Sequence, residues 1–217
     1  IKKKIKSFGY EFKTNSDTEV ILKYYQHYGE DCVKYFEGMW SFAIWDNKVK
    51  KIILSRDRFG EKPLYLYKSK YGIYFASETK FIKCLSNENF DLNYDKLNKY
   101  IINGYRSVYR DNSSYFKKID SVENSTNISI SFENDVKKYK YWHIKPIIDK
   151  SMKIEDVIEE SKSKLINSMK LRLRSDVPIA FCLSGGVDSA SLASIATKEL
   201  NKKTTTFSII DQDKRYD

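Results

Sequence analysis

Along the first part of the chain the apolar positions change period several times, and each change marks an element. Ser16-Asp17-Thr18-Glu19 has the Ser-x-x-Glu spacing of a capping box. Val20, Tyr24 and Tyr28 recur behind it at helical spacing with Ile21 and Tyr25 beside them, which predicts a helix ending near Gly29. From Trp40 the pattern switches to strand. Trp40 to Trp45, a turn at Asp46-Asn47-Lys48 and a second apolar run from Val49 to Leu54 read as a β-hairpin. Two shorter strands, Leu64 to Tyr67 and Ile73 to Phe75, flank a turn at Tyr71-Gly72. Helical patterns follow at 78–85 and 94–103, then strands at 127–132 and 136–142. Hairpins with helices added predict an α+β layer arrangement as far as His143, and Pro146 marks a boundary.

Beyond that boundary Ile154, Val157, Ile158, Leu165 and Met169 mark one face of a long helix whose other side is charged. Pro178 to Leu183 reads as a fully buried strand. The loop Ser184-Gly185-Gly186-Val187-Asp188-Ser189 follows, then a helix to about Leu200 and a strand from Thr204 to Ile210. Strand, loop, helix, strand is the opening of a parallel α/β sheet. The expected organisation is therefore an α+β domain over 1–145, a linker over 146–152 and part of an α/β domain over 153–217. One such βαβ unit cannot cover both faces of a sheet, so the sequence reads as a fragment with neither end natural.

Composition narrows the class. Among 217 residues 41% are apolar and 15% aromatic, which excludes a disordered chain. The longest clean apolar run, Pro178 to Leu183, is far short of a membrane span. The start, Ile1-Lys2-Lys3-Lys4-Ile5-Lys6, has the charge of a signal peptide's first region but no apolar stretch behind it. Net charge is +10, and residues 1–145 hold 27 basic and 18 acidic side chains, so the excess sits in the first domain. Those cations are scattered through strands, turns and helices instead of lining one face, which argues against a nucleic-acid partner. Cys32, Cys84 and Cys182 are odd in number and far apart, which excludes a disulfide scaffold or a Cys-x-x-Cys zinc site and fits a reducing, cytoplasmic setting. Each lies in a helical or buried-strand pattern and is expected in the core. The two histidines, His27 and His143, are isolated and receive no role.

The strongest chemical signal is the loop after the strand at 178–183. Two glycines let the backbone approach an anion, and the following helix points its free N–H groups at it. Ser184 and Ser189 can add hydroxyl donors, and Asp188 can hold the Mg²⁺ that accompanies a polyphosphate. No Lys-Ser/Thr pair follows the glycines, so this is not the ordinary P-loop. Arg56-Asp57-Arg58 reads as a salt-linked turn between strands in preference to a catalytic group.

In that setting the hexapeptide resembles the pyrophosphate-binding loop of the ATP pyrophosphatase superfamily. The first part carries a second resemblance. Thr14-Asn15-Ser16-Asp17-Thr18-Glu19, the run from Glu37 to Asp46, Arg56-Asp57-Arg58-Phe59-Gly60-Glu61-Lys62-Pro63-Leu64-Tyr65 and Phe75-Ala76-Ser77-Glu78 resemble, in order and spacing, the glutaminase domain of the asparagine synthetase B family. The likeness extends through Tyr141-Trp142 and Ser175-Asp176-Val177-Pro178. It implies an N-terminal-nucleophile glutaminase joined to a synthetase that uses ATP and Mg²⁺ to amidate aspartate, and it is compatible with a homodimer. It places the family's N-terminal Cys, substrate-binding Arg and Asn-Gly oxyanion pair upstream of Ile1. No catalytic residue of the glutaminase is then expected in this stretch, and by itself the stretch is expected to be inactive. Asp17 is implied to hold the glutamine α-ammonium, although by position alone it is an acid complementing a helix dipole. Leu183 and Ile209 are implied to lie against ATP beside Ser184, Gly185, Gly186, Asp188 and Ser189.

Three alternatives stay open. A relative could amidate another carboxylate, such as a sugar acid of a surface polysaccharide, and Ser208-Ile209-Ile210-Asp211-Gln212-Asp213 lacks the Gly that commonly follows this strand in the family. A nucleic-acid-modifying pyrophosphatase relative and a non-catalytic remnant are the others.

Overall fold

The computed structural model describes residues 1–108 and 110–210; Asp211 to Asp213 of the departure just noted lie outside them. The chain divides into two units, Ile1–Lys145 and Pro146–Asp217.

The first unit opens on α1 (Lys2–Lys6) and α2 (Asp17–Tyr28), followed by a 3₁₀ stretch over Gly29–Tyr35. The basic start is part of the fold, since Ile5 in α1 is fully buried and the Tyr24 hydroxyl donates to the Ile1 carbonyl at 3.1 Å. Strands β1 (Ser41–Asp46) and β2 (Lys51–Arg56) form the expected hairpin, and β3 (Tyr65–Lys68) and β4 (Ile73–Ala76) the second. Val49, expected in a strand, lies in the first hairpin's turn, where the Asp46 carboxylate accepts from the N–H groups of Lys48 and Val49. Helices α3 (Thr79–Ser86) and α4 (Tyr94–Asn103) precede β5 (Asp120–Ser121), β6 (Thr126–Ser131) and β7 (Val136–Lys140).

These strands make two antiparallel sheets, β1-β2-β6-β7 and β4-β3-β5. Period-two alternation turns Leu54, Ile128 and Ile130 toward the second sheet, where they meet Leu64 and Val122. The opposite face of the first sheet receives Val20, Tyr24 and Val33 from the helical layer, with Phe36 and Trp40 from the segment that leads into β1. Ile82 of α3 packs with Tyr67 and Ile119 on the second sheet. The order of layers is helix, sheet, sheet, helix. It is the α+β layer arrangement that the hairpin and helix patterns predicted.

The turn between β2 and β3 passes the chain from one sheet to the other, and Asp57 organises it. Asp57 is 1% exposed. Its carboxylate accepts from the backbone N–H groups of Trp40 at 3.3 Å, Phe59 at 3.1 Å, Glu61 at 3.0 Å and Lys62 at 2.9 Å. Arg56 donates to the carbonyls of Lys62 and Gly60 at 2.8 and 2.7 Å, to the Ser121 hydroxyl at 2.7 Å and to the Val122 carbonyl. Arg58 donates to the Phe36 carbonyl and to that of Lys34. The three charges are therefore not salt-linked to one another, as the sequence suggested; each holds main chain. Gly60 has φ +66°, and a Cβ there would meet the Arg56 guanidinium carbon at 3.1 Å, so the turn needs glycine on both counts.

In the second unit α5 (Ile154–Arg172) leads to β8 (Ala180–Cys182), α6 (Val187–Ser194), a π turn over Ile195–Glu199 and β9 (Thr205–Phe207). β8 and β9 are parallel, with Ala180 opposite Thr205 and Cys182 opposite Phe207. The strand expected to be fully buried is not: Ala180 and Cys182 are exposed and Phe181 half-buried. Along α5 only Met169 is buried, while Ile154, Val157, Ile158 and Leu165 remain exposed. Two strands and their helices offer too little surface to cover those positions among the described residues. For the same reason Cys182 is exposed, and Cys84 lies on the solvent side of α3, so only Cys32 is the core residue expected of all three. No helix of the described residues is long and apolar enough to cross a membrane.

All three tryptophans, Trp40, Trp45 and Trp142, lie in the first unit, so their fluorescence reports its unfolding alone. Asp57→Ala removes the acceptor of four N–H groups, the buried one of Trp40 among them, and should destabilise that unit by about 3 kcal/mol or more in urea. A loss under about 1 kcal/mol would mean that the turn closes without the carboxylate.

Candidate functional site

The loop in the second unit forms at the carboxyl ends of two parallel strands, the edge of such sheets where nucleotides bind. The Leu183 N–H donates to the Phe207 carbonyl at 2.8 Å, and the Ser208 hydroxyl donates back to the Leu183 carbonyl at 2.8 Å. That pair ties Leu183, just before the loop, to the end of β9. Gly185 has φ +80°, which turns the chain toward α6, and Gly186 is the helix N-cap with no side chain over the first turn. Ser189 closes the loop from the helix side: its hydroxyl accepts from the Ser184 N–H at 3.2 Å, donates to the Gly186 carbonyl at 3.1 Å and lies 3.1 Å from the Ser184 hydroxyl. Ser184, Gly185, Gly186 and Ser189 are thus brought together in one closed turn.

Asp188 sits in the first turn of α6, exposed, with no ion pair or hydrogen bond among the described residues. No group of three or more His, Cys, Asp or Glu stands together among those residues. A lone carboxylate beside phosphate oxygens is nonetheless the kind of protein ligand that Mg²⁺ takes on nucleotides, so the residues present fit that cation. Leu183 is half-buried next to the loop. Ile209 lies past the end of β9 and is fully exposed, not buried in a strand as its pattern suggested.

In the first unit Asp17 is the first residue of α2, exposed, with Ser16 as N-cap accepting from the Thr18 N–H at 3.2 Å. Half of the expected capping box is present. Glu19 does not return to the Ser16 N–H; its carboxylate accepts from the N–H groups of Lys13 and Thr14 at 2.8 and 2.7 Å and from the Thr14 hydroxyl at 2.6 Å. Those donors, the Thr14 hydroxyl foremost, pull the Glu19 carboxyl down to about 2. The Ser-x-x-Glu spacing signalled a helix start and hid this second use of the acid. His27 stacks on Phe8 with ring centroids 4.4 Å apart, a packing role.

A cavity of about 540 Å³ lies elsewhere in this unit, lined in part by Arg56, Lys96, Asp111 and Asn124. Lys96, 3% exposed, donates to Asp111 at 2.8 Å and to the Val108 carbonyl at 2.6 Å, an arrangement that no spacing in the sequence announces.

A family model described as a glutamine amidotransferase domain matches residues 1–142, and one described as asparagine synthase matches residues 160–217. A Methanocaldococcus jannaschii protein provisionally named asparagine synthetase (glutamine-hydrolysing) 2 is 39% identical over 210 residues, 93% of this chain and 39% of that protein. Asparagine synthetase (glutamine-hydrolysing) 1 of Bacillus subtilis is 32% identical over 211 residues, 96% of this chain and 32% of that protein. The chain thus spans well under half the length of these curated relatives. A solved glutamine phosphoribosylpyrophosphate amidotransferase from B. subtilis aligns with 99% of this chain and 46% of its own at 15% identity and a TM-score of 0.44, too loose a likeness to bear on the assignment. The match over residues 1–142 makes the four-layer unit a glutamine amidotransferase domain, and with the asparagine synthase match behind it the chain belongs to the asparagine synthetase B family.

In the 217-residue chain the Glu19 carboxyl should titrate at about 2 in an NMR pH series, against an ordinary 4.5. Because the folded value is depressed, its contribution to stability is complete above pH 4.5 and is lost as pH falls through about 2. A midpoint at 4.5 would show that the three donors do not hold the carboxylate.

Proposed function

We propose that this chain is part of a glutamine-hydrolysing, ATP-driven enzyme that amidates the side-chain carboxylate of aspartate to give asparagine, through a β-aspartyl-AMP intermediate with release of AMP and pyrophosphate. The observation that carries this reading is the strand-end loop Ser184–Ser189 lying in the same chain as the glutaminase-type four-layer unit. A carboxylate is a poor electrophile, and adenylation turns one of its oxygens into departing AMP that ammonia can displace.

In this reading the N–H groups of the first turn of α6 and the Ser184 hydroxyl hold the pyrophosphate. Ser189 keeps the loop closed around it, while Leu183 and Ile209 flank the nucleotide. Asp188 would hold Mg²⁺, which supplies neutralisation of the polyphosphate charge when bound. Asp17 receives the α-ammonium of glutamine, its negative charge also favoured by the α2 dipole. Free Cys32, Cys84 and Cys182 are in keeping with a reducing, cytoplasmic setting.

The test is pyrophosphate release with ATP, Mg²⁺ and aspartate, measured beside ammonia release from glutamine in the full-length enzyme. Asp188→Asn keeps the shape and removes one charge; it should lower pyrophosphate release on the order of a thousandfold while glutamine hydrolysis persists. Near-normal pyrophosphate release would return Asp188 to helix capping. A full-length enzyme that releases pyrophosphate only with a different carboxylate would replace aspartate in the reading.

A further inference from the structure

The loop over residues 13–16 delivers Asp17 to the first turn of α2, and it is solvent-exposed, so packing does not hold its shape. Hydrogen bonds do. The Glu19 carboxylate gathers the Lys13 and Thr14 N–H groups and the Thr14 hydroxyl at 2.6–2.8 Å. The Thr14 hydroxyl oxygen accepts in turn from the Ser16 N–H at 3.2 Å, and the Ser16 hydroxyl oxygen from the Thr18 N–H at 3.2 Å. The Lys2 ammonium reaches the Thr14 carbonyl and the Asn15 side-chain oxygen, each at 3.4 Å. The relay runs from Glu19 through Thr14 to the residues on both sides of Asp17. An acid serving only the helix dipole would need none of these partners.

We infer that Glu19 is a positioning residue of the glutamine subsite: it holds the 13–16 loop in the shape that presents the Asp17 carboxylate to the ammonium of bound glutamine. The inference rests on the reading of Asp17 given above. Without the Glu19 carboxylate the Lys13 and Thr14 N–H groups turn to water and the loop samples other shapes. Asp17 then stands correctly for only a fraction of the time, and apparent glutamine affinity falls by that fraction. Chemistry that uses free ammonia is untouched.

The experiment compares glutamine-dependent and ammonia-dependent synthesis in the full-length enzyme. Glu19→Gln should raise the KM for glutamine about tenfold and leave ammonia-dependent kcat within about twofold. Thr14→Val removes the relaying hydroxyl and should move the glutamine KM the same way by a smaller factor. Thr14→Ser keeps the hydroxyl and should behave as wild type. If Asp17→Asn raises the glutamine KM and Glu19→Gln and Thr14→Val do not, the inference is overturned while the subsite stands. Equal losses with glutamine and ammonia in Glu19→Gln would make Glu19 a folding residue and also overturn it. If Asp17→Asn itself leaves the glutamine KM unchanged, the subsite reading fails first and the inference falls with it.

Discussion

A carboxylate taken out of water and surrounded by main-chain N–H groups is the constraint on which the first unit turns. Asp57 leaves solvent at the end of β2, where the chain must cross from one sheet to the other. A buried charge is tolerable only if its oxygens are fully bonded, and four N–H groups meet that need while closing the 57–62 turn. One of the four belongs to Trp40, so the same charge fixes where β1 begins. Its neighbour Arg56 reaches across to Ser121 and Val122, and the Tyr141 hydroxyl donates to the Arg56 carbonyl at 2.7 Å. The sandwich is thereby tied at one corner by groups from four parts of the chain. Hydrophobic burial between the sheets supplies the driving force; Asp57 and Arg56 select the one crossing that satisfies every polar group.

Both candidate sites are shaped by backbone N–H groups and small hydroxyls, with a carboxylate added at the second. At Ser184–Ser189 the hydroxyls satisfy one another and the loop's own main chain, which leaves the first turn of α6 facing outward with its free N–H groups. Before α2 a carboxylate does the closing and an adjacent carboxylate is left exposed. There the side chains that shape the loop, Glu19 and Thr14, are distinct from Asp17, the group proposed to meet the ligand.

The basic excess of the first unit has a structural explanation in part. β7 is the outer strand of its sheet, and Lys137, Lys138 and Lys140 stand exposed along it. Lys138 and Lys140 pair with Glu123, and a row of ammonium groups on an edge strand deters pairing with another chain. Lys4 lies 4.3 Å from the centroid of the Tyr35 ring, and Lys83 lies 4.1 Å from that of Phe116, so further cations are used against aromatic faces.

Periodicity and turn chemistry act over a few residues, and what they control was legible in the chain. The helix after Ser16, the hairpin about Asp46, the strands near 65 and 73 and the Gly-Gly turn between strand and helix all follow from neighbours within one or two turns. The loop at Ser184 could be recognised because its shape depends on consecutive residues. Burial is a different quantity, since it depends on what arrives from elsewhere in the chain. The apolar run at Pro178 to Leu183 and the face of α5 carry core-like patterns, yet the described residues bring no layer to cover them. Long-range polar contacts were equally hidden. Nothing in Arg56-Asp57-Arg58 says that each charge will seek main chain instead of its neighbour, and nothing about Lys96 foretells Asp111. Glu19 marks the boundary between the two kinds of knowledge. Its spacing from Ser16 determined that a helix starts there, and only the folded-back loop decided that its carboxylate would bind Lys13 and Thr14, because that bond exists only once the chain before the helix has closed on it.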